Sequence, residues 1–216
     1  PNLGIGELEG AVRAHGHVAE RVDVRGGGRL PERFDAVLTS GGPGSPLNDG
    51  PWTDPLLEWL KRGLEEETPI LGICFGFQML VRAVGGRLRE REDSRFGVYE
   101  LNATRIGAQD PWLGAAVPST VFLQHRYSVE SPGGEILACG CNGDVIAARF
   151  GAVAVGCMFH PEASPSVARV WFGEPHIQTK LDARFGRDGR LAMESRISGL
   201  EKSNRALLHG FLSCLS

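Results

Sequence analysis

A chain of 216 residues, 42% apolar and 23% charged with a net charge of −3, has the composition of a globular protein rather than a disordered tail. The slight acidity leaves no electrostatic footprint for nucleic acid or an anionic membrane surface. No apolar run approaches the roughly 20 residues that a membrane-spanning helix needs.

In chain order, Gly4 to Gly10 carries glycines at the wrong spacing for a dinucleotide loop. Glu7 to His15 has the period of a helix, with Leu8, Val12 and Val18 as its inner face. Val22 to Arg25 is predicted as a short strand and Gly26 to Gly28 as a turn. Phe34 to Ser40 is predicted as a buried strand that runs into Gly41-Gly-Pro-Gly-Ser-Pro46. That loop is either a plain turn or a ligand loop at the carboxyl end of a parallel strand. Asp54-Pro55 signals a helix start, an N-cap followed by proline at the first helical position. Leu56, Leu57, Leu60 and Leu64 form its stripe, and Thr68-Pro69 ends it.

Next comes Pro69-Ile-Leu-Gly-Ile-Cys-Phe-Gly-Phe-Gln-Met-Leu80, an apolar run that ends at Cys74 and turns helical at once. Beyond Gly86, strands are predicted at Tyr99 to Ala103, Thr120 to Leu123, Ile136 to Cys139, Val145 to Phe150 and Val153 to Phe159. After Gly173 the pattern is helical, with Leu181, Phe185, Leu191, Ile197, Leu200, Leu207, Leu208 and Leu212 as core candidates. These elements predict an α/β fold, a mixed sheet parallel at its centre with helices on both faces. One domain over 1–216 is expected, its core spanning about 1–173 and its helical segment about 174–216.

Cys74 carries two readings. Free cysteines are commonly buried core residues. A thiol on a sharp strand-to-helix turn, however, stands clear of the sheet and faces the positive end of a helix dipole. Gly72 and Gly76 remove side chains that would crowd such a turn. A nucleophile needs a base, and the base needs an orienting group. His160-Pro161-Glu162 follows a predicted strand at its carboxyl end. Its i, i+2 side chains project to one side. The same tripeptide also reads as a plain surface turn. Five cysteines form no disulfide-scaffold density and favour a reducing, cytoplasmic setting. Cys139-Gly-Cys141 is too tight for the usual metal or redox pair, and Asn102-Ala-Thr104 is a sequon that matters only in a secreted protein.

Three stretches together, Ser40-Gly-Gly-Pro-Gly-Ser45, Gly72-Ile-Cys-Phe-Gly-Phe-Gln78 and Phe159-His-Pro-Glu162, resemble the class I (triad-type) glutamine amidotransferases. From about Ala36 to Ser164 the chain is similar to the branch that includes the glutaminase domain of GMP synthase. Asp49-Gly-Pro-Trp52, Gly85-Gly86 and Gln124-His125 fit that branch. The resemblance implies a flavodoxin-like three-layer sandwich, L-glutamine as substrate, and neither cofactor nor metal. It implies Cys74 as nucleophile, His160 as base and acid, and Glu162 as its orienting carboxylate. The N–H groups of Gly42 and Phe75 become the oxyanion hole, and Gln78, His125 and Met158 become substrate contacts. Ammonia then passes to a separate synthetase subunit. The alternative is a standalone hydrolase of a γ-glutamyl peptide or conjugate, with Phe77, Arg126, Tyr127 and Met158 as the residues that choose the leaving group. Phe77 departs from the family's histidine and Met158 from its glutamine. The family's first strand has no counterpart before Pro1, so a preceding segment is expected.

Overall fold

The structure, a computed structural model, describes residues 5–47 and 50–215. Gly4 and Asp49 of the motifs above lie outside them. Seven strands form one sheet among the described residues: β1 (Val37–Thr39), β2 (Ile70–Ile73), β3 (Arg87–Ala103), β4 (Thr120–Ser131), β5 (Glu135–Gly140), β6 (Val145–Phe150) and β7 (Ala154–Cys157). Their spatial order is β1-β2-β7-β6-β4-β3-β5. Only β1, β2 and β7 run parallel; every other pair is antiparallel. Strand β5 pairs with both β3 and β6, so the antiparallel part curls back on itself.

The fold is thus α/β, but the expectation of a sheet parallel at its centre is corrected: the parallel strands occupy one end. Connection length is the reason. Helix α2 (Thr53–Glu65) supplies a crossover long enough to bring β2 beside β1 in parallel. Strands β5, β6 and β7 follow one another through turns of a few residues, which permit only antiparallel neighbours.

All four residues of β2 are buried. Alternate side chains point to opposite faces, so both faces of the sheet are covered there. Ile70 reaches Gly63 of α2, and Gly72 lies against Leu80 of α3 (Phe75–Ala83). Helix α1 (Leu8–Ala14) buries Leu8 and Val12 as expected, but Val18 is 97% exposed because the helix stops four residues earlier. Val22 to Arg25 forms no strand; a turn begins at Val24, and the Gly28 N–H donates to Asp23 O at 2.8 Å. An extended segment needs a partner, and β1 pairs on β2. Helix α2 begins at Thr53 rather than being capped by Asp54, whose charge sits in the first turn where it favours the dipole.

Helix α4 (Arg105–Gln109) is capped by Thr104, whose Oγ1 accepts the Gly107 N–H at 2.9 Å. That gives the sequon threonine a structural role. Helix α5 (Pro165–Gly173), not predicted from the sequence, is capped by Ser164, with Pro165 at its first turn. Helix α6 (Pro175–Ser198) is broken at Gly186, which adopts φ 71°. Helix α7 (Glu201–Leu212) packs on α1. Leu181, Ile197, Leu200, Leu207, Leu208 and Leu212 are buried, whereas Leu191 is 50% exposed. Apolar side chains gather in two bodies. The larger lies about the parallel strands, and the smaller joins α5 and α6 to Phe96 and Phe122. Among the described residues no helix is long and apolar enough to cross a membrane.

One buried ion pair ties the short helix to the sheet. Arg149 donates from Nε to Asp110 Oδ2 at 2.5 Å and from its Nη2 to Oδ1 at 3.0 Å. The N–H groups of Trp112 and Leu113 also donate to that carboxylate. Burial pushes the Asp110 carboxyl up, but Arg149 and these N–H donors together hold it below its usual value. A depressed carboxylate contributes stability above its unfolded pKa and loses it as pH falls through the folded one. Asp110→Ala is therefore expected to cost about 3 kcal/mol near neutral pH, measured by urea unfolding, and progressively less as pH falls below about 4.

Candidate active site

Cys74 stands between the end of β2 and the start of α3, with φ 50° and ψ −102°. A non-glycine residue there stores strain on the order of 1–3 kcal/mol and persists only where its surroundings over-determine it. They do. The Cys74 N–H donates to Cys157 O at 2.7 Å, and Cys74 O accepts from the Gln78 N–H at 3.0 Å. The flanking glycines are steric necessities. A Cβ on Gly76 would lie 2.1 Å from Thr39 Oγ1, and one on Gly72 would lie 2.6 Å from Leu80 Cδ1. Close packing of β1, β2 and α3 thus forces the sharp turn that lifts the thiol. Its Sγ donates to Gln124 O at 3.5 Å.

His160 and Glu162 follow β7, which pairs directly with β2. The ring Nδ1–H of His160 donates to Glu162 Oε1 at 2.7 Å, and both side chains are buried. That bond leaves Nε2 as the ring's other nitrogen, without a hydrogen-bond partner among the described residues. Burial pulls the His160 pKa down, but Glu162 and Cys74 outweigh it and raise the ring well above its ordinary value. Glu162 is itself sealed from water: the Glu7 N–H donates to Glu162 O at 3.2 Å, and Gly6 lies against the side chain.

Gly41 places the two halves together. A Cβ there would sit 2.9 Å from His160 Cε1 and 3.3 Å from Cys74 Cβ. The sequence pointed to Gly42, where an added Cβ meets open space; the tighter constraint one residue earlier was missed. Gly41→Ala is expected to displace the imidazole and lower kcat by about 10²-fold with the fold retained, as circular dichroism would verify. Gly42→Ala should be tolerated sterically.

Three contacts hold the loop over 41–46. Arg25 donates to Pro43 O, Arg82 Nη1 to Pro46 O at 2.5 Å, and the Tyr127 hydroxyl to Ser45 Oγ at 3.0 Å. Phe75 opens α3, so its N–H has no acceptor within the helix. It lines the same cleft as Gly42, Cys74 and His160, an open space of about 2040 Å³. Two N–H donors beside a thiol can receive the charge that develops on a carbonyl oxygen under attack.

The expected substrate contacts form one network. Tyr127 O accepts from Gln78 Nε2 at 3.2 Å and from His125 Nδ1 at 2.9 Å. Gln78 and His125 both line the cleft. Burial, with the nearby Arg95 and Arg91, lowers the His125 pKa to about 4 despite its bond to Tyr127. The ring is neutral at physiological pH. Met158 is corrected: it is fully buried beneath Gln78, with Sδ 3.8 Å from Nε2, and does not face the cleft. Phe77 is likewise fully buried, its ring against Gly156 and 6.0 Å from that of Phe150. A strand or helix residue next to the site has an even chance of facing the core instead, and both apolar side chains do. Arg126 does reach the cleft, paired with Glu90 at 2.8 Å. Trp171 of α5 was missed altogether; its ring meets that of His160 edge-on at 5.5 Å. It lies before Gly173, in a stretch for which the sequence predicts no element, and carried no signal beyond being apolar. Among the described residues no group of three His, Cys, Asp or Glu side chains is arranged to hold a metal ion.

A thiol on a strained elbow, a His–Glu pair just beyond the neighbouring strand and a clamped glycine loop thus line one cleft. Residues 18–172 match the family model described as glutamine amidotransferase class-I, and the chain belongs to that family. GMP synthase [glutamine-hydrolyzing] of Pyrobaculum aerophilum is 34% identical over 146 residues, covering 65% of this chain and 27% of that protein. Its counterpart from a Synechocystis species is 32% identical over 143 residues, covering 62% and 24%. The matched stretch is thus about a quarter of these relatives' length. Among solved structures, a glutamine amidotransferase from Thermotoga maritima superposes with a TM-score of 0.84 at 20% identity, covering 98% of this chain and 92% of that one. One from Methylobacillus flagellatus gives 0.83 at 16%, covering 100% and 92%. These two share the fold.

Proposed function

We propose that this chain hydrolyses the side-chain amide of L-glutamine through a γ-glutamyl thioester on Cys74. The observation that carries the reading is the shared cleft of Cys74, Gly41 and the His160–Glu162 pair. His160 Nε2 takes the thiol proton as Sγ bonds to the amide carbon. The carbonyl oxygen becomes an oxyanion facing the N–H groups of Gly42 and Phe75. His160 then returns its proton to the amide nitrogen, the C–N bond breaks and ammonia leaves. Water, deprotonated by the same nitrogen, attacks the thioester; glutamate departs and the thiol regains its proton. Glu162 keeps the Nδ1–H oriented and balances the imidazolium. Gln78 and His125, tied through Tyr127 O, hold the acyl half.

The relatives' printed names couple glutamine hydrolysis to a synthase, which supports delivery of the ammonia to a separate synthetase. The whole stretch 1–216 works as one glutaminase domain, with residues after about 173 covering one side of the cleft. Its five cysteines are all unpaired, which favours a reducing compartment such as the cytoplasm. A second reading, hydrolysis of γ-glutamyl conjugates by the same groups, is favoured by the aromatic wall that Trp171 builds beside His160.

Ammonia and glutamate release from L-glutamine tests the proposal. Equimolar release that is lost on incubation with a diazo-ketone glutamine analogue is the expected result. Release that survives the analogue undiminished would overturn it.

A further inference from the structure

Resting on that reading, we infer that the cleft has a built subsite for a bulky apolar leaving amine. The substrate class it fits is a γ-glutamyl amide of an aromatic or aliphatic amine or amino acid.

Position comes from the proton relay. His160 Nδ1 is occupied by Glu162, so the leaving nitrogen must come within reach of Nε2. The acyl side is already taken by the glycine loop and by the Gln78–Tyr127–His125 network. Trp171, which meets the imidazole edge-on at 5.5 Å and lines the cleft, is the side chain left beside the ring for the leaving group. Ammonia needs no wall there.

The structure nevertheless provides one. From Trp171 the cleft continues along Phe96, Ile177, Leu181 and Arg184. Phe96 sits at the centre of an aromatic cluster, 5.4 Å from Phe122, 5.6 Å from Phe172 and 5.9 Å from Phe185. These side chains belong to the smaller apolar body, which α5 and α6 build against β3 and β4. The helical segment thus meets the catalytic base through apolar and aromatic surface that is still open to the cleft at Ile177. At the far end Arg184 donates from Nη1 to Ser94 O at 3.3 Å and forms no salt bridge among the described residues. A guanidinium retains further donors after one bond, and a carboxylate on the leaving amine is their natural acceptor.

The reaction stays balanced. The Sγ–C bond forms as the C–N bond breaks, His160 protonates the amine nitrogen, and water later supplies the oxygen that ends on glutamate.

Glutamate release is measured with the full chain on L-glutamine, γ-glutamyl-phenylalanine and γ-glutamyl-phenethylamide, in wild type and in Ile177→Glu. At least one conjugate is expected to exceed glutamine in kcat/KM by about tenfold or more, the scale an apolar pocket supplies. Ile177→Glu should lower the conjugate-to-glutamine ratio by a similar factor. Preference for the phenylalanine conjugate over the phenethylamide assigns the carboxylate contact to Arg184; equal rates assign the subsite to the apolar wall alone. If glutamine turns over and neither conjugate exceeds it, or if Ile177→Glu leaves the ratio unmoved, the subsite is overturned and the glutaminase reading stands. If no substrate yields glutamate, the glutaminase reading itself fails.

Discussion

Cys74→Ala is expected to lower glutamine hydrolysis by about 10⁴–10⁶-fold, the scale on which loss of a nucleophile acts when its partners can work only through it. The geometry explains the size. His160 Nε2 has no hydrogen-bond partner among the described residues, and the proposed oxyanion donors have no charge to receive unless Sγ attacks. Alanine at φ 50° keeps the strain of the elbow, so the loss cannot be ascribed to a relaxed turn. Cys74→Gly separates activity from stability. Glycine adopts positive φ at little cost, so this variant should be as inactive as alanine yet more stable than it by about 1 kcal/mol in urea unfolding. A glycine variant less stable than the alanine variant would show that the conformation is not strained.

Glu162→Gln is the second large effect, expected to reduce kcat by about 10³–10⁴-fold. The substitution keeps volume and removes charge. Glu162 is only 1% exposed and supplies the first of the contributions that raise the His160 pKa against burial. Without it burial dominates, and the imidazole should titrate below its usual value instead of well above it. The sign of the linkage follows. In the wild type, His160 contributes stability below pH 6.5 that is lost as pH rises through its raised folded pKa. In Glu162→Gln that contribution reverses, and stability falls as pH drops below 6.5. Histidine NMR titration reads the pKa directly. His125, already held near 4, provides an internal reference that should not move.

Much of this site was readable because its constraints are short-range. Gly72, Cys74 and Gly76 lie within five residues, and each answers to packing that any strand-to-helix elbow imposes. His160 and Glu162 are two residues apart, so their hydrogen bond needs only extended backbone. What escaped reading depends on contacts between distant segments. Gly41 is fixed by His160, more than a hundred residues away, and nothing in Gly41-Gly42 says which glycine is crowded. The first half of β3, Arg87 to Arg95, is largely polar, so alternation gave no strand signal. Parallel strands were placed at the sheet's centre because strand–helix alternation reveals connections but not spatial order. Val18 and Leu191 fit a helical stripe in sequence and yet face solvent, since one lies past the end of α1 and the other beyond the break at Gly186. Trp171 was invisible as a site residue because no element was predicted for its segment and an apolar side chain looks the same whether it meets a core or an imidazole.

The central claim is that Cys74 becomes acylated by the γ-glutamyl group. Incubation with a diazo-ketone analogue of glutamine, followed by peptide mass spectrometry, tests it most directly. A single adduct on the peptide carrying Cys74, abolished by Cys74→Ala and absent from Cys139, Cys141, Cys157 and Cys214, is the predicted result. An unmodified Cys74, or labelling that persists in Cys74→Ala, would contradict it.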